Sequence, residues 1–181
     1  MKVFVYGTLM DGEPNNVFLQ KDAVFLGRGE TKPIYTLYDL WAFPAIAFGG
    51  DTSIKGEVYE VSDEALRRLD QLEGYEPKSP GKGFYNRDLI SVTLGEQNKS
   101  IMALTYFLDK KTILRMKQAK IRRLRAAKQE VTLPIIPTIQ SGDWRDVYED
   151  EETEEIYADE ETEEINNLSE RRAKRRRRIS R

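Results

Sequence analysis

The chain has 181 residues, with 29 Lys+Arg, 31 Asp+Glu, no histidine and no cysteine. Those two zeros exclude a Ser-His-Asp triad, a Cys-His pair, a thiolate nucleophile, a disulfide and zinc held by His or Cys within this chain. An enzyme built from it must move protons with Asp, Glu, Lys or Tyr. The net charge of −2 is a cancellation, because residues 1–108 carry −4, 109–130 carry +7, 143–165 carry −12 and 166–181 carry +7. The total therefore says nothing about partners.

In chain order, Val3-Phe4-Val5-Tyr6 is an apolar run ending at Gly7, the pattern of a buried strand meeting a loop. Gly12, Pro14, Asn15 and Asn16 mark a turn, with Asn15 or Asn16 capping a short helical piece through Val17, Phe18 and Leu19. Residues 24–26, 34–40, 45–48 and 56–61 read as strands separated by Gly and Pro. Ser62 is an N-cap, Asp63 and Glu64 suit a first turn, and Val61 can staple onto Leu66. Ala65, Leu66, Leu69 and Leu72 supply an apolar stripe and Gly74 a terminator, so 63–73 is a helix. A loop rich in Gly, Pro and Lys covers 75–83. Residues 86–94 alternate, with Asp88, Ile90, Val92 and Leu94 on one face, and 101–108 are apolar on both faces, as in a central strand.

Residues 109–130 have no Gly or Pro and abound in Lys, Arg, Ala, Gln and Leu, which predicts a basic helix. Ile113, Leu114, Met116, Lys120, Ile121 and Leu124 share its one broad apolar side. Pro134 and Pro137 end it in an extended segment. Farther on, YEDEETEEI at 148–156 repeats as YADEETEEI at 157–165, and a basic cluster occupies 171–178. Such charge density argues for a solvated arm. The division is thus a domain at 1–148, with 109–130 inserted in it, and a charged tail at 149–181. No signal or spanning segment is expected, since residues 1–6 are too short for one and 41–50 is interrupted by Pro44. Together with the missing cysteines, this predicts a soluble, cytoplasmic protein.

Two places invite chemistry. At Tyr6-Gly7-Thr8-Leu9 a buried strand breaks into a tight loop, where glycine lets backbone N–H groups converge on an anion and the threonine hydroxyl adds a donor. At the far end of the 63–73 helix, Asp70 and Glu73 place carboxylates against the helix dipole, while Arg67 and Arg68, which would suit that end, sit earlier. A charge placed against stability is a candidate for function.

Taken in order, Tyr6-Gly7-Thr8-Leu9, Gly56-Glu57-Val58-Tyr59, Leu69-Asp70-Gln71-Leu72-Glu73-Gly74 and Tyr85-Asn86-Arg87 resemble the γ-glutamyl cyclotransferase superfamily. Gly12-Glu13-Pro14-Asn15 is most similar to its γ-glutamylamine cyclotransferase branch and small bacterial relatives. The resemblance runs through residues 1–108 and resumes at Ser141-Gly142-Asp143-Trp144-Arg145. It implies an α+β fold, with a mixed sheet curled into a partly closed small barrel and a short catalytic helix; the inserted basic helix and the charged tail are additions to that fold, outside the resemblance. The implied reaction has the substrate's own α-amine attack its γ-carbonyl, releasing 5-oxoproline and a free amine without metal or cofactor. Glu73 of the Asp-x-x-Glu motif would be the general acid/base. Tyr6, Gly7, Thr8 and Leu9 would bind the substrate carboxylate or oxyanion, with Tyr85 and Tyr106 lining the pocket. Asp70 would orient the helix end, and Arg87 would either pair with a carboxylate or decorate its strand, with decoration the preferred reading. The leaving amine belongs to a small γ-glutamyl amine or peptide, its room set by loops 40–55 and 75–84.

The basic insertion has three candidate roles: a lid, an assembly surface, or, with 171–181, a contact to nucleic acid. A competing reading is therefore a cyclotransferase-like binding module tethered through its charged insertion and tail. A third keeps the pocket but hydrolyses or transfers the γ-glutamyl group.

Overall fold

The computed structural model describes residues 1–40, 42–95, 98–129 and 136–147. Among the described residues seven strands form in chain order: β1 (Lys2–Val5), β2 (Ala23–Thr31), β3 (Tyr35–Asp39), β4 (Pro44–Phe48), β5 (Lys55–Val61), β6 (Asn86–Leu94) and β7 (Lys99–Phe107). Two α-helices lie wholly within the described residues, α1 (Asp63–Leu72) and α2 (Lys110–Ala126), with a 3₁₀ turn at Asn16–Phe18. Five strands make a closed barrel in the order β1-β5-β2-β6-β7, while β3 and β4 form a separate two-stranded ribbon. The expected partly closed sheet therefore closes fully. Its seam is a parallel contact of β1 with β7 at Val3 and Leu104, reinforced where the buried Thr105 hydroxyl donates to the Phe4 carbonyl at 3.0 Å.

The barrel interior is filled by alternate strand residues, among them Phe4, Val58, Ile90, Val92, Leu94 and Ala103. Every second residue of β6 from Ile90 onward is buried, as its alternation predicts. β7 departs from expectation. Ala103 and Thr105 are buried but Met102 is 51% exposed, because a barrel strand has one inner face and one outer face.

α1 forms where its local signals place it. Ser62 Oγ accepts the Ala65 N–H at 3.1 Å, and Asp63 and Glu64 occupy the first turn. At the other end Gly74 takes φ +62°, the left-handed conformation that glycine adopts without a Cβ penalty. Gly74 N–H then donates to Gln71 O (3.3 Å) and Tyr75 N–H to Asp70 O (2.8 Å), the paired bonds of a Schellman motif. Glu73 is the C-cap residue of α1.

α2 is capped by Asp109, whose carboxylate accepts the Thr112 N–H at 2.7 Å. Of its expected apolar side Ile113 is buried, but Leu114 is 55% exposed. The closing segment returns along β3, with Asp39 N–H donating to Pro137 O and Ile139 N–H to Leu37 O, and it buries Ile136 and Trp144. Met1–Trp144 is one compact unit, and of the second, Arg145–Arg181, only 145–147 are described. The acidic repeat, the basic cluster and Pro134 lie outside the described residues. Among the described residues, no helix is long and apolar enough to cross a membrane.

Candidate active site

β1 runs into the 7–11 loop at one end of the barrel, and that loop forms one wall of a cavity of about 350 Å³. Tyr6, Gly7, Thr8, Leu9, Glu73, Tyr85 and Tyr106 all line it, so the structure brings together the seven residues expected to act on the substrate or line its pocket, while Asp70 stands outside the lining. The remaining lining includes the turn between β3 and β4 (Ala42, Phe43) with Pro44 at the start of β4, Leu72 and Gly74 beside Glu73, Phe84, and Phe4, Val5 and Asn15.

Gly7 is required by close approach. A Cβ there would fall on the ring of Pro44, 2.7 Å from Cδ. The loop is braced from behind: Met10 N–H donates to Gly7 O (2.8 Å), Asn15 N–H to Thr8 O (2.8 Å) and Asn15 Nδ2 to Thr8 Oγ1 (3.0 Å). Among the described residues no acceptor takes the N–H groups of Gly7, Thr8 or Leu9. Three successive free donors on the wall of a cavity are suited to an anion.

Glu73 is placed by the end of α1. Its own N–H donates to Leu69 O (2.9 Å), its carbonyl accepts the Tyr85 N–H (3.3 Å), and Gly74 O accepts the Phe84 N–H (3.0 Å). The 75–83 loop is thereby pinned back on the helix terminus, setting Phe84 and Tyr85 beside Glu73. Burial pushes the Glu73 carboxyl up from its ordinary 4.5 to about 7. It is the one ionisable carboxyl among the residues lining the cavity, which include no Lys or Arg.

The three tyrosines are held as walls. Tyr6 hydroxyl donates to Tyr106 O (2.8 Å) and accepts the Ile46 N–H (3.3 Å), and Tyr85 hydroxyl donates to Pro44 O (2.7 Å). Burial drives both phenols well above their usual range, with the nearby Glu73 charge adding to the effect, so both stay protonated. Tyr106 hydroxyl donates to Asp70 Oδ1 at 2.8 Å. These hydroxyl protons are committed to the protein, and the rings shape the cavity.

Arg87 is not the strand decoration its sequence setting suggests. Its Nη1 lies 2.5 Å from Asp70 Oδ1 and 2.7 Å from Oδ2, and its guanidinium stacks 4.7 Å from the Tyr75 ring. Arg87 and Tyr106 are cross-strand partners in β6 and β7, so the buried Asp70 receives donors from both. Asp70 thus ties α1 to the barrel one helical turn before Glu73. Phe43 and Phe84 were not singled out in the sequence. Their rings sit edge to face at 6.1 Å, and Phe84 packs at 5.1 Å on Tyr85, an aromatic rim drawn from the two loops expected to bound the leaving group. No residue of α2 lines the cavity.

A family model described as gamma-glutamyl cyclotransferase, AIG2-like, matches residues 3–146. The chain belongs to the AIG2-like γ-glutamyl cyclotransferase family. A relative from Vibrio cholerae, provisionally named a gamma-glutamylcyclotransferase, is 45% identical over 93 residues, covering 51% of this chain and 74% of its own. The gamma-L-glutamyl-butirosin B gamma-glutamyl cyclotransferase of Niallia circulans is 31% identical over 109 residues, covering 60% of this chain and 67% of its own. Among solved structures, the PH0828 protein of Pyrococcus horikoshii superposes with a TM-score of 0.53 at 24% identity over 84% of this chain and 97% of that one. It shares the family fold.

Proposed function

We propose that the protein is a γ-glutamyl cyclotransferase in which Glu73 is the general base and acid. The observation that carries this reading is a lone carboxyl, raised to about 7 by burial, in the same cavity as three unengaged backbone donors. A carboxyl with that proton affinity is divided between its two forms near neutrality, as a group that both accepts and returns a proton requires.

The reaction needs little else from the protein. The substrate's α-carboxylate, or the oxyanion formed at its γ-carbonyl, is held by the N–H groups of Gly7, Thr8 and Leu9. The Tyr6, Tyr85 and Tyr106 rings hold the glutamyl chain folded, so that the α-nitrogen approaches the γ-carbon as a tethered nucleophile. Glu73 takes a proton from the α-ammonium group, and the freed amine forms the new C–N bond. Glu73 passes that proton to the departing nitrogen and takes the second proton, which the attacking nitrogen carries once the new bond has formed. The tetrahedral centre collapses with cleavage of the C–N bond to the departing nitrogen. 5-Oxoproline and the amine leave, the amine taking up the second proton from Glu73 as an ammonium ion.

The experiment is release of 5-oxoproline from a panel of γ-glutamyl amides by the full chain and by Glu73→Gln. Turnover by the wild type that falls by about 10²–10⁴-fold in the variant supports the reading. Release of glutamate in place of 5-oxoproline would make the enzyme a hydrolase, and undiminished turnover by a folded variant would remove Glu73 from the mechanism.

A further inference from the structure

A second cavity, of about 530 Å³, lies between the 3₁₀ turn region and strands β2 and β5, and it shares no lining residue with the first. Glu57 lies at its base and is 1% exposed. The two carboxylate oxygens differ. Oε2 accepts the Asp11 N–H at 2.8 Å and the Tyr59 hydroxyl at 2.9 Å. Oε1 accepts no hydrogen bond among the described residues. Its neighbour there is Arg28 Nε at 3.6 Å, beyond hydrogen-bond reach, on a side chain that is 68% exposed.

A desolvated carboxylate oxygen without a donor is costly to leave as it is. An arginine standing mostly in water above it is held weakly and is easily displaced. The rest of the cavity suits an apolar body: Phe25 and Tyr59 pack their rings 5.4 Å apart, Phe25 is 51% exposed, and Leu19 lies beside them. Asp11 adds a second carboxylate to the lining and Gln20 an amide. An anion would meet Glu57 and Asp11 together. A small metal ion would find no set of three ligands among the described residues.

We propose that this cavity binds an organic cation, a primary ammonium or guanidinium group on an apolar stem, whose head replaces Arg28 over Glu57 Oε1 while the stem lies against Phe25 and Tyr59. The occupant has a defined connection to the 7–11 loop. Glu57 holds the Asp11 N–H through its other oxygen, and Asn16, also in the lining, donates from Nδ2 to Leu9 O at 3.0 Å. The Asp11 amide is therefore a direct reporter of occupancy, whatever reaction the first cavity performs.

The test is titration of the full chain with n-butylammonium chloride, followed by calorimetry and by the Asp11 amide resonance, with valerate and butanol as matched anion and neutral probes. Saturable binding of the ammonium alone, with movement of the Asp11 resonance, is expected. Glu57→Gln should weaken it by roughly tenfold or more, since one partner of a buried charge pair is gone. Arg28→Ala should tighten it, because the resident cation no longer competes. Phe25→Ala should weaken it, and both of these changes fall on exposed side chains, so they decide the matter if Glu57→Gln does not fold. Glu73→Gln should leave the affinity unchanged. Failure of butylammonium to saturate, equal affinity in wild type and Arg28→Ala, or loss of binding in Glu73→Gln would overturn the proposal.

Discussion

Replacing Glu73 by Gln separates two consequences of one buried carboxyl. Burial lifts its pKa from 4.5 to about 7 in the folded protein, and unfolding returns it to the ordinary value. Between those two pH values the folded state keeps a proton that the unfolded state has released. Stability therefore falls by ~1.4 kcal/mol for each pH unit gained in that interval. The whole interval amounts to roughly 3 kcal/mol, an upper figure because the residue retains some contact with solvent. Below 4.5 both states are protonated and the penalty is absent; above about 7 it is fully present. Glutamine imitates the protonated form. Glu73→Gln should thus match the wild type near pH 4 and exceed it by up to ~3 kcal/mol at pH 8, while losing most of its turnover. Urea unfolding at both pH values, beside 5-oxoproline release, measures the two effects on one sample. The wild-type kcat/KM should also rise through an acid limb near 7 that the variant lacks. A stability difference that is the same at pH 4 and pH 8 would refute the reasoning, because the charge would then not be the source of the cost.

Three further outcomes follow from the site. Arg87→Met removes a donor from the buried Asp70 and should cost about 3 kcal/mol in urea unfolding; adding Asp70→Asn should recover part of the loss, since the stranded charge goes with it. Gly7→Ala drives a methyl into the Pro44 ring and should cost ~1–3 kcal/mol while raising KM, measured by thermal melting and initial rates. Phe84→Ala, at a ring that is 43% exposed, should cost less than about 1 kcal/mol but raise KM for substrates with apolar leaving amines, with kcat little changed. A fall in kcat alone would place Phe84 in the chemistry instead of the rim.

The parts of the fold legible in the sequence are those whose interactions are short in chain distance. Ser62, Asp63 and Glu64 start α1, and Gly74 ends it, through bonds to residues within five positions, so the helix and the placement of Glu73 at its end are local facts. The alternation along β6 is likewise local, and Tyr6-Gly7-Thr8-Leu9 and Glu73 carry the family resemblance wherever the rest of the chain lies. Where the structure corrected the reading, long-range contacts are responsible. Arg87 looks like an ordinary surface residue until the barrel brings α1 against β6 and β7 and sets Asp70 beside it. The strand at 99–107 is apolar enough to suggest burial on both faces, yet closure with β1 turns Met102 outward. Glu57, one acid in a strand of mixed residues, gives no local sign that it is buried with an oxygen lacking a donor. Periodicity and capping are encoded by neighbours, and motifs by their order. Which carboxyl loses its water, and what proton affinity it then has, depends on residues a hundred positions apart meeting in space, and that is settled by packing.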